Sequence, residues 1–86
     1  MKLSEAFITY NTENESILVP LGDTPFNGMV KGNKTLGAIL ALLKEETTEQ
    51  EVIHAMQRRF NAPEDIIIRD VKKALAELRK IGALEE

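Results

Sequence analysis

The chain has 86 residues and a formal net charge of −3, which predicts one small acidic domain spanning residues 1–86. It contains no cysteine, so disulfides, thiolate metal sites and cysteine nucleophiles are excluded from this chain. No apolar run approaches the roughly 20 residues that span a bilayer, and the first residues lack a signal-peptide pattern. We therefore expect a cytoplasmic protein with no membrane partner.

Three short strands are predicted in the first part of the chain. Residues 6–10 are rich in aromatic and β-branched side chains, residues 16–20 form a second apolar run that ends in proline, and residues 26–31 alternate large and small side chains. The Asn-rich segment 11–15 and the Gly- and Pro-containing segment 21–25 predict turns between them. Tight turns favour an antiparallel meander.

The last strand of such a meander lies at an edge, where its backbone groups on one side have no partner. Edge strands are usually blunted by charge or proline. Here Pro25 and Lys31 lie at the two ends of the strand, and its middle is open. An open edge can accept an extended peptide as an added strand. The third strand is therefore a candidate peptide-binding site.

Three amphipathic helices are predicted in the rest of the chain, over residues 34–44, 48–60 and 63–81. In each of them apolar side chains recur at spacings of three and four, which gives one buried stripe. Thr48 and Glu51 form a capping box at the start of the second helix. The predicted fold class is α+β: a winged-helix-like domain with an N-terminal three-stranded antiparallel sheet followed by a three-helix bundle.

Residue types that support catalysis or metal binding are few and isolated. His54 is the only histidine, and without cysteine it cannot form a structural zinc site. Ser4 and Ser16 have no accompanying His–Asp pattern. The four glutamates between residues 45 and 51 are better explained by a solvated turn and helix capping than by a metal site. We therefore expect no enzyme activity, no metal and no cofactor.

The third helix has two different flanks beside its apolar stripe. One flank combines apolar and basic side chains: Ile68, Lys72, Leu75 and Arg79. The opposite flank carries Asp70 and Glu77. Periodicity alone favours a core helix with solvated charges. The alternative is that Ile68 and Leu75 face a groove that Lys72 and Arg79 border.

Several segments, taken in order and with their spacing, match one known family. They are Phe26-Asn27-Gly28-Met29-Val30-Lys31, Asn33-Lys34-Thr35 followed by residues 39–43, residues 47–53, residues 60–63, and Asp70-Val71 with Leu75, Leu78 and residues 82–84. Together they resemble the PqqD family, the pyrroloquinoline quinone biosynthesis peptide chaperones. Its fold is shared by the recognition elements of ribosomally made, post-translationally modified peptides (RiPPs). Gly32 stands where the family often has a large apolar residue.

The resemblance implies a non-catalytic adaptor that binds the leader segment of a precursor peptide. In the family the leader pairs with the third strand and lies between that strand and the third helix. The resemblance implies strand pairing at Phe26, Asn27, Gly28, Met29, Val30 and Lys31. It further implies apolar contacts at Ile68 and Leu75 and charge pairing at Lys72 and Arg79. A modifying enzyme, such as a radical S-adenosylmethionine (SAM) protein, would be the partner.

Two other functions fit the same elements. A winged-helix DNA-binding regulator would place the third helix in the major groove. Between residues 63 and 81, however, five basic residues stand against four acidic ones, and this balance argues against nucleic acid as a partner. An interaction module is the third possibility. In that case the edge strand would be filled by a second copy, so we expect either a monomer or a strand-swapped dimer.

Overall fold

The computed structural model describes residues 1–22 and 28–86. A three-stranded antiparallel sheet, in the order β2-β3-β4, packs against three helices, and the short strands β1 and β5 form a separate pair. The predicted α+β architecture is confirmed. In chain order the elements are β1 (Lys2–Leu3), β2 (Phe7–Asn11), β3 (Ser16–Pro20), β4 (Val30–Gly32), α1 (Lys34–Leu42), α2 (Glu49–Arg59), α3 (Glu64–Lys80) and β5 (Leu84–Glu85).

The third strand of the sheet, β4, starts later than the sequence predicts. Gly28 and Met29 are exposed and precede it. Phe26 and Asn27, also expected in this strand, lie outside the described residues. Continuing the β3–β4 register would place Gly28 opposite Pro20, which has no N–H to donate to a ladder. Proline at the end of β3 therefore accounts for the short β4.

The pairing of β1 with β5 was not predicted. Lys2 lies opposite Glu85 and Leu3 opposite Leu84. The Leu3 N–H also donates to the Leu43 carbonyl at 2.7 Å, which ties β1 to the end of α1. Strands of two residues are too short to show a period in the sequence, so only the folded chain reveals this pair.

The helix starts follow from local side-chain caps. The Asn33 side chain accepts from the Leu36 N–H at 3.2 Å at the start of α1. Thr48 Oγ1 accepts from the Glu51 N–H at 3.1 Å at the start of α2, as the capping box predicts. The Glu51 carboxylate lies 3.4 Å from the Thr48 hydroxyl, so it completes the box through the side chain. Pro63, expected as the first residue of α3, is its N-cap.

The core lies between the inner face of the sheet and the three helices. Among the described residues, the largest fully buried side chains are Leu18, Ile39, Leu40, Leu43, Val52, Met56, Val71, Leu75 and Leu78. Gly32 supplies space at the junction of sheet and helices: a Cβ there would overlap the side chain of Leu36. Leu36 thus occupies the space that a side chain at position 32 would need. In the described part of the chain, no helix has the length and apolarity of a membrane span.

Candidate functional site

β4 forms one edge of the three-stranded sheet. Among the described residues its only partner strand is β3, and the register sets Lys31 opposite Ile17. The side of β4 that faces away from β3 borders the start of α1 and one flank of α3. This free edge is the feature around which the candidate site is built.

The orientation of the Lys31 backbone follows from the neighbouring β2–β3 ladder. The Thr12 N–H donates to the Glu15 carbonyl at 2.8 Å, which makes this a hydrogen-bonded pair at the end of the hairpin. Hydrogen-bonded and non-hydrogen-bonded pairs alternate in an antiparallel ladder. Tyr10 and Ile17 therefore form the next hydrogen-bonded pair, and the backbone of Ile17 faces β2. Lys31, opposite Ile17, consequently directs its own N–H and C=O away from β3.

A groove of about 340 Å³ runs beside this edge. One wall is formed by β4 and the first turns of α1, with Val30, Lys31 and Thr35 among its residues. The other wall is one flank of α3, formed by Asp70, Lys73, Ala74 and Glu77. The groove thus presents backbone groups on one side and alternating charges with a small residue on the other.

The groove continues towards the C-terminal end of α3. A second stretch of about 320 Å³ shares Val30, Leu36, Ala74 and Glu77 with the first and adds Leu78, Lys80 and Ile81. Gly32, at the end of β4, lines only the first stretch, which lies beside Asp70. Val30, at the start of β4, also lines the second stretch, which lies beside Ile81. β4 and α3 therefore run alongside each other in opposite directions.

A small apolar pocket of about 90 Å³ adjoins the groove where α1, α2 and α3 meet. Thr35 and Asp70 line both the groove and this pocket. Apolar side chains form the rest of its wall: Met56, Phe60, Ala62, Ile66, Ile67 and Val71. An extended chain lying in the groove could place one apolar side chain here.

Comparison with known proteins identifies the family and the fold of this chain. The sequence model of the family described as Coenzyme PQQ synthesis protein D (PqqD) matches residues 10–84. The chain belongs to the PqqD family. A solved structure, TbiB1 in complex with the TbiA(beta) leader peptide, matches with a TM-score of 0.74 and 20% identity, covering 99% of this chain and 100% of that one. At that identity the likeness shows the fold. No curated protein matches the chain in sequence.

The strand residues expected to bind peptide are only partly placed by the structure of this PqqD-family chain. Val30 and Lys31 line the groove. Gly28 and Met29 are exposed immediately before β4. Phe26 and Asn27 lie outside the described residues. Val30 and Lys31 thus remain the strand residues with a described position in the groove.

The four α3 residues singled out in the sequence do not line the β4–α3 groove. Ile68 and Lys72 face α2, where the Lys72 ammonium lies 3.7 Å from the Glu49 carboxylate. Leu75 is fully buried in the core. The Arg79 guanidinium lies 3.0 Å from the Glu86 carboxylate. The structure thus places these four residues away from β4. The sequence pattern does not show this, because an apolar stripe has two flanks and periodicity does not tell which flank borders the sheet.

The α3 residues that do line the groove of the PqqD-family chain are on the opposite flank. Asp70 and Glu77 were recognised there as charges without an assigned role, and Lys73 and Ala74 were not singled out. The pattern that connects them is the alternation of acidic and basic residues along one side of the helix. This alternation can be read from the sequence. It points to a binding surface only once the structure shows that this flank of α3 faces β4.

The groove offers backbone hydrogen-bonding groups and charged side chains to a ligand. Within residues 1–22 and 28–86, no cluster of three or more His, Asp or Glu side chains is placed to hold a metal ion. His54 is exposed on α2, with its Nε2 3.1 Å from the Gln50 Nε2, and it lines the separate depression between α2 and α3. The groove beside β4 is suited to holding an extended peptide.

Proposed function

We propose that this chain is a non-catalytic adaptor that binds the leader segment of a ribosomally made precursor peptide and presents it to a modifying enzyme. The observation that carries the proposal is the outward-facing backbone of Lys31 on an edge strand beside a groove. Membership of the PqqD family supports it. The similar fold of TbiB1, which was solved in complex with a leader peptide, supports it as well.

In this mechanism the leader adds a fourth strand to the sheet. Its backbone exchanges hydrogen bonds with Lys31, each contributing about 1 kcal/mol net, and these bonds are independent of the leader sequence. Selectivity then comes from side chains on the face of the added strand that meets α3. The α3 side of the proposed site is Asp70, Lys73, Ala74 and Glu77, in place of the flank that was first expected.

The modifying chemistry would belong to a separate partner. A bound strand exposes its second edge and its outward side chains, so the peptide stays accessible while it is held. A radical SAM enzyme is the partner that the family resemblance implies. This part of the proposal is tested by co-purifying the chain with the enzyme encoded beside it, in the presence and absence of the leader.

The test of leader binding is an amide-resolved NMR titration with the leader half of a short precursor peptide encoded beside this gene. We expect shifts concentrated at Val30–Gly32 and on the Asp70–Glu77 flank of α3. The variant Lys31→Pro removes the outward N–H while the ladder to β3 is kept, and proline is tolerated on edge strands. It should abolish binding, whereas the matched variant Lys31→Ala keeps the N–H and should bind within a few-fold of the native chain. Equal affinity of the folded Lys31→Pro variant would contradict strand addition.

A further inference from the structure

The groove-facing flank of α3 carries charges of alternating sign. Asp70, Lys73, Glu77 and Lys80 follow each other at spacings of three, four and three residues, so they share one side of the helix. The first three line the main groove, and Lys80 lines its continuation. The order along the groove is therefore acidic, basic, acidic, basic.

In the described segments these charges take part in few ion pairs. No ion pair joins Lys73, Glu77 or Lys80 to another residue of the described segments, and Asp70 has only the Arg69 guanidinium at 3.9 Å. On the other flank of α3, by contrast, Lys72 is paired with Glu49 across the helix interface. The groove-facing charges are thus available to a ligand.

The spacing of the charges fits the repeat of an added strand. With a rise of about 1.5 Å per helical residue, Lys73 and Glu77 lie about 4.5 and 10.5 Å along the axis from Asp70. Side chains on one face of a strand repeat every ~6.7 Å. Three consecutive inward-facing side chains can therefore each lie within about 1.5 Å, along the axis, of one of these three residues. This alignment requires that the axis of the added strand run alongside the axis of α3, as the axis of β4 does.

We propose that the groove selects peptide segments with a basic–x–acidic–x–basic pattern, in which the three charged side chains face Asp70, Lys73 and Glu77 in turn. The pattern is the same from either end, so it holds whichever way the peptide runs. This inference rests on the proposed strand addition to β4. The inference adds to strand addition the charge pattern of the ligand and the residues that determine selectivity.

The test uses synthetic peptides of the form Thr-Val-X-Thr-X-Thr-X-Val-Thr, in which each X is Lys, Glu or Gln in all combinations. Affinity is measured by fluorescence anisotropy at low salt, and the Lys31 amide shift reports occupation of the edge. The Lys-Glu-Lys peptide should bind about three- to tenfold more tightly than the Gln-Gln-Gln peptide, since exposed charge pairs are individually weak. The Glu-Lys-Glu peptide should bind most weakly.

Charge reversal at one site distinguishes pairing from general attraction. In Lys73→Glu the preferred central residue should change from Glu to Lys, while Lys72→Glu, a reversal on the flank facing α2, should leave the preference unchanged. If all peptides bind with equal affinity and the Lys31 amide resonance still shifts, the proposed charge pattern is overturned and strand addition to β4 is supported. The charge pattern would also be overturned if the Lys73→Glu variant still preferred Glu at the central position of the peptide. No Lys31 shift with any peptide would overturn both proposals.

Discussion

The Lys72 ammonium on α3 lies 3.7 Å from the Glu49 carboxylate on α2. This contact marks the flank of α3 that packs beside α2, and it leaves the flank with Asp70 and Glu77 towards β4. The orientation of one helix about its own axis thus decides which charges a ligand in the groove would meet.

Removing this ion pair should have little effect on stability or on binding. The Lys72 side chain is 60% exposed and the Glu49 side chain 36% exposed, and exposed pairs contribute about 0–1 kcal/mol. We expect Lys72→Ala to change the free energy of unfolding by less than about 1 kcal/mol, measured by urea denaturation. Leader affinity should stay within twofold. A large loss of affinity in the folded variant would place the ligand on the α2 side of α3 and contradict the site proposed above.

Gly37 should not tolerate a side chain. A Cβ on this α1 residue would overlap the hydroxyl of Ser16 on β3, which donates to the Asn11 side chain at 2.9 Å. Gly37→Ala should lower the free energy of unfolding by about 1–3 kcal/mol through overpacking, despite the better helix propensity of alanine.

The overlap with Ser16 can be isolated by a double-mutant cycle. Ser16→Ala removes the hydroxyl and should recover part of the stability lost in Gly37→Ala, giving a coupling of about 0.5–3 kcal/mol. Additive effects of the two substitutions would show that helix α1 shifts away from the sheet instead.

The start of α2 should depend on Thr48. Thr48→Ala removes the side-chain acceptor for the Glu51 N–H and should cost about 1 kcal/mol of stability. Thr47→Ala is the matched control, because α2 is capped by the side chain of Thr48 rather than that of its neighbour. Thermal denaturation followed by far-ultraviolet circular dichroism measures both. Equal melting temperatures for the two variants would argue that tertiary packing alone fixes the start of the helix.

Duplex DNA should bind weakly, if at all. The chain carries a net charge of −3, and the basic residues of α3 are interspersed with acidic ones. Affinity for DNA depends on neutralising phosphates and falls steeply with salt. A mobility-shift experiment at low salt should therefore show no complex at micromolar protein. Tight binding with a steep salt dependence would revive the DNA-binding alternative.

The sequence predicts the elements of this fold better than their relative orientation. The Thr48-x-x-Glu51 pattern locates the start of α2, and the polar residues at 11–15 locate the β2–β3 turn, because these signals depend on neighbours in the chain. The β1–β5 pair has no such local signal. The late start of β4 depends on Pro20, a residue in a different strand.

The residues of the candidate site also differ in whether the sequence identifies them. The edge position of the third strand follows from its place in a meander, so Val30 and Lys31 could be identified from the sequence. The flank of α3 that borders β4 could not be identified in the same way, because hydrophobic periodicity defines the centre of a buried stripe and gives both of its borders equal weight. Only the packed helices show that Lys73 borders β4 while Lys72 borders α2.

The pairing of β1 with β5 sets Lys2 directly across from Glu85. Where two segments far apart in the sequence lie this close, a short linker can join them and the chain can be reopened at an exposed turn. The turn between β2 and β3 is such a place, since its residues are exposed and none of them lines the groove beside β4. The same adjacency lets residues 2–85 be inserted into a surface loop of another protein without separating the two ends of that loop.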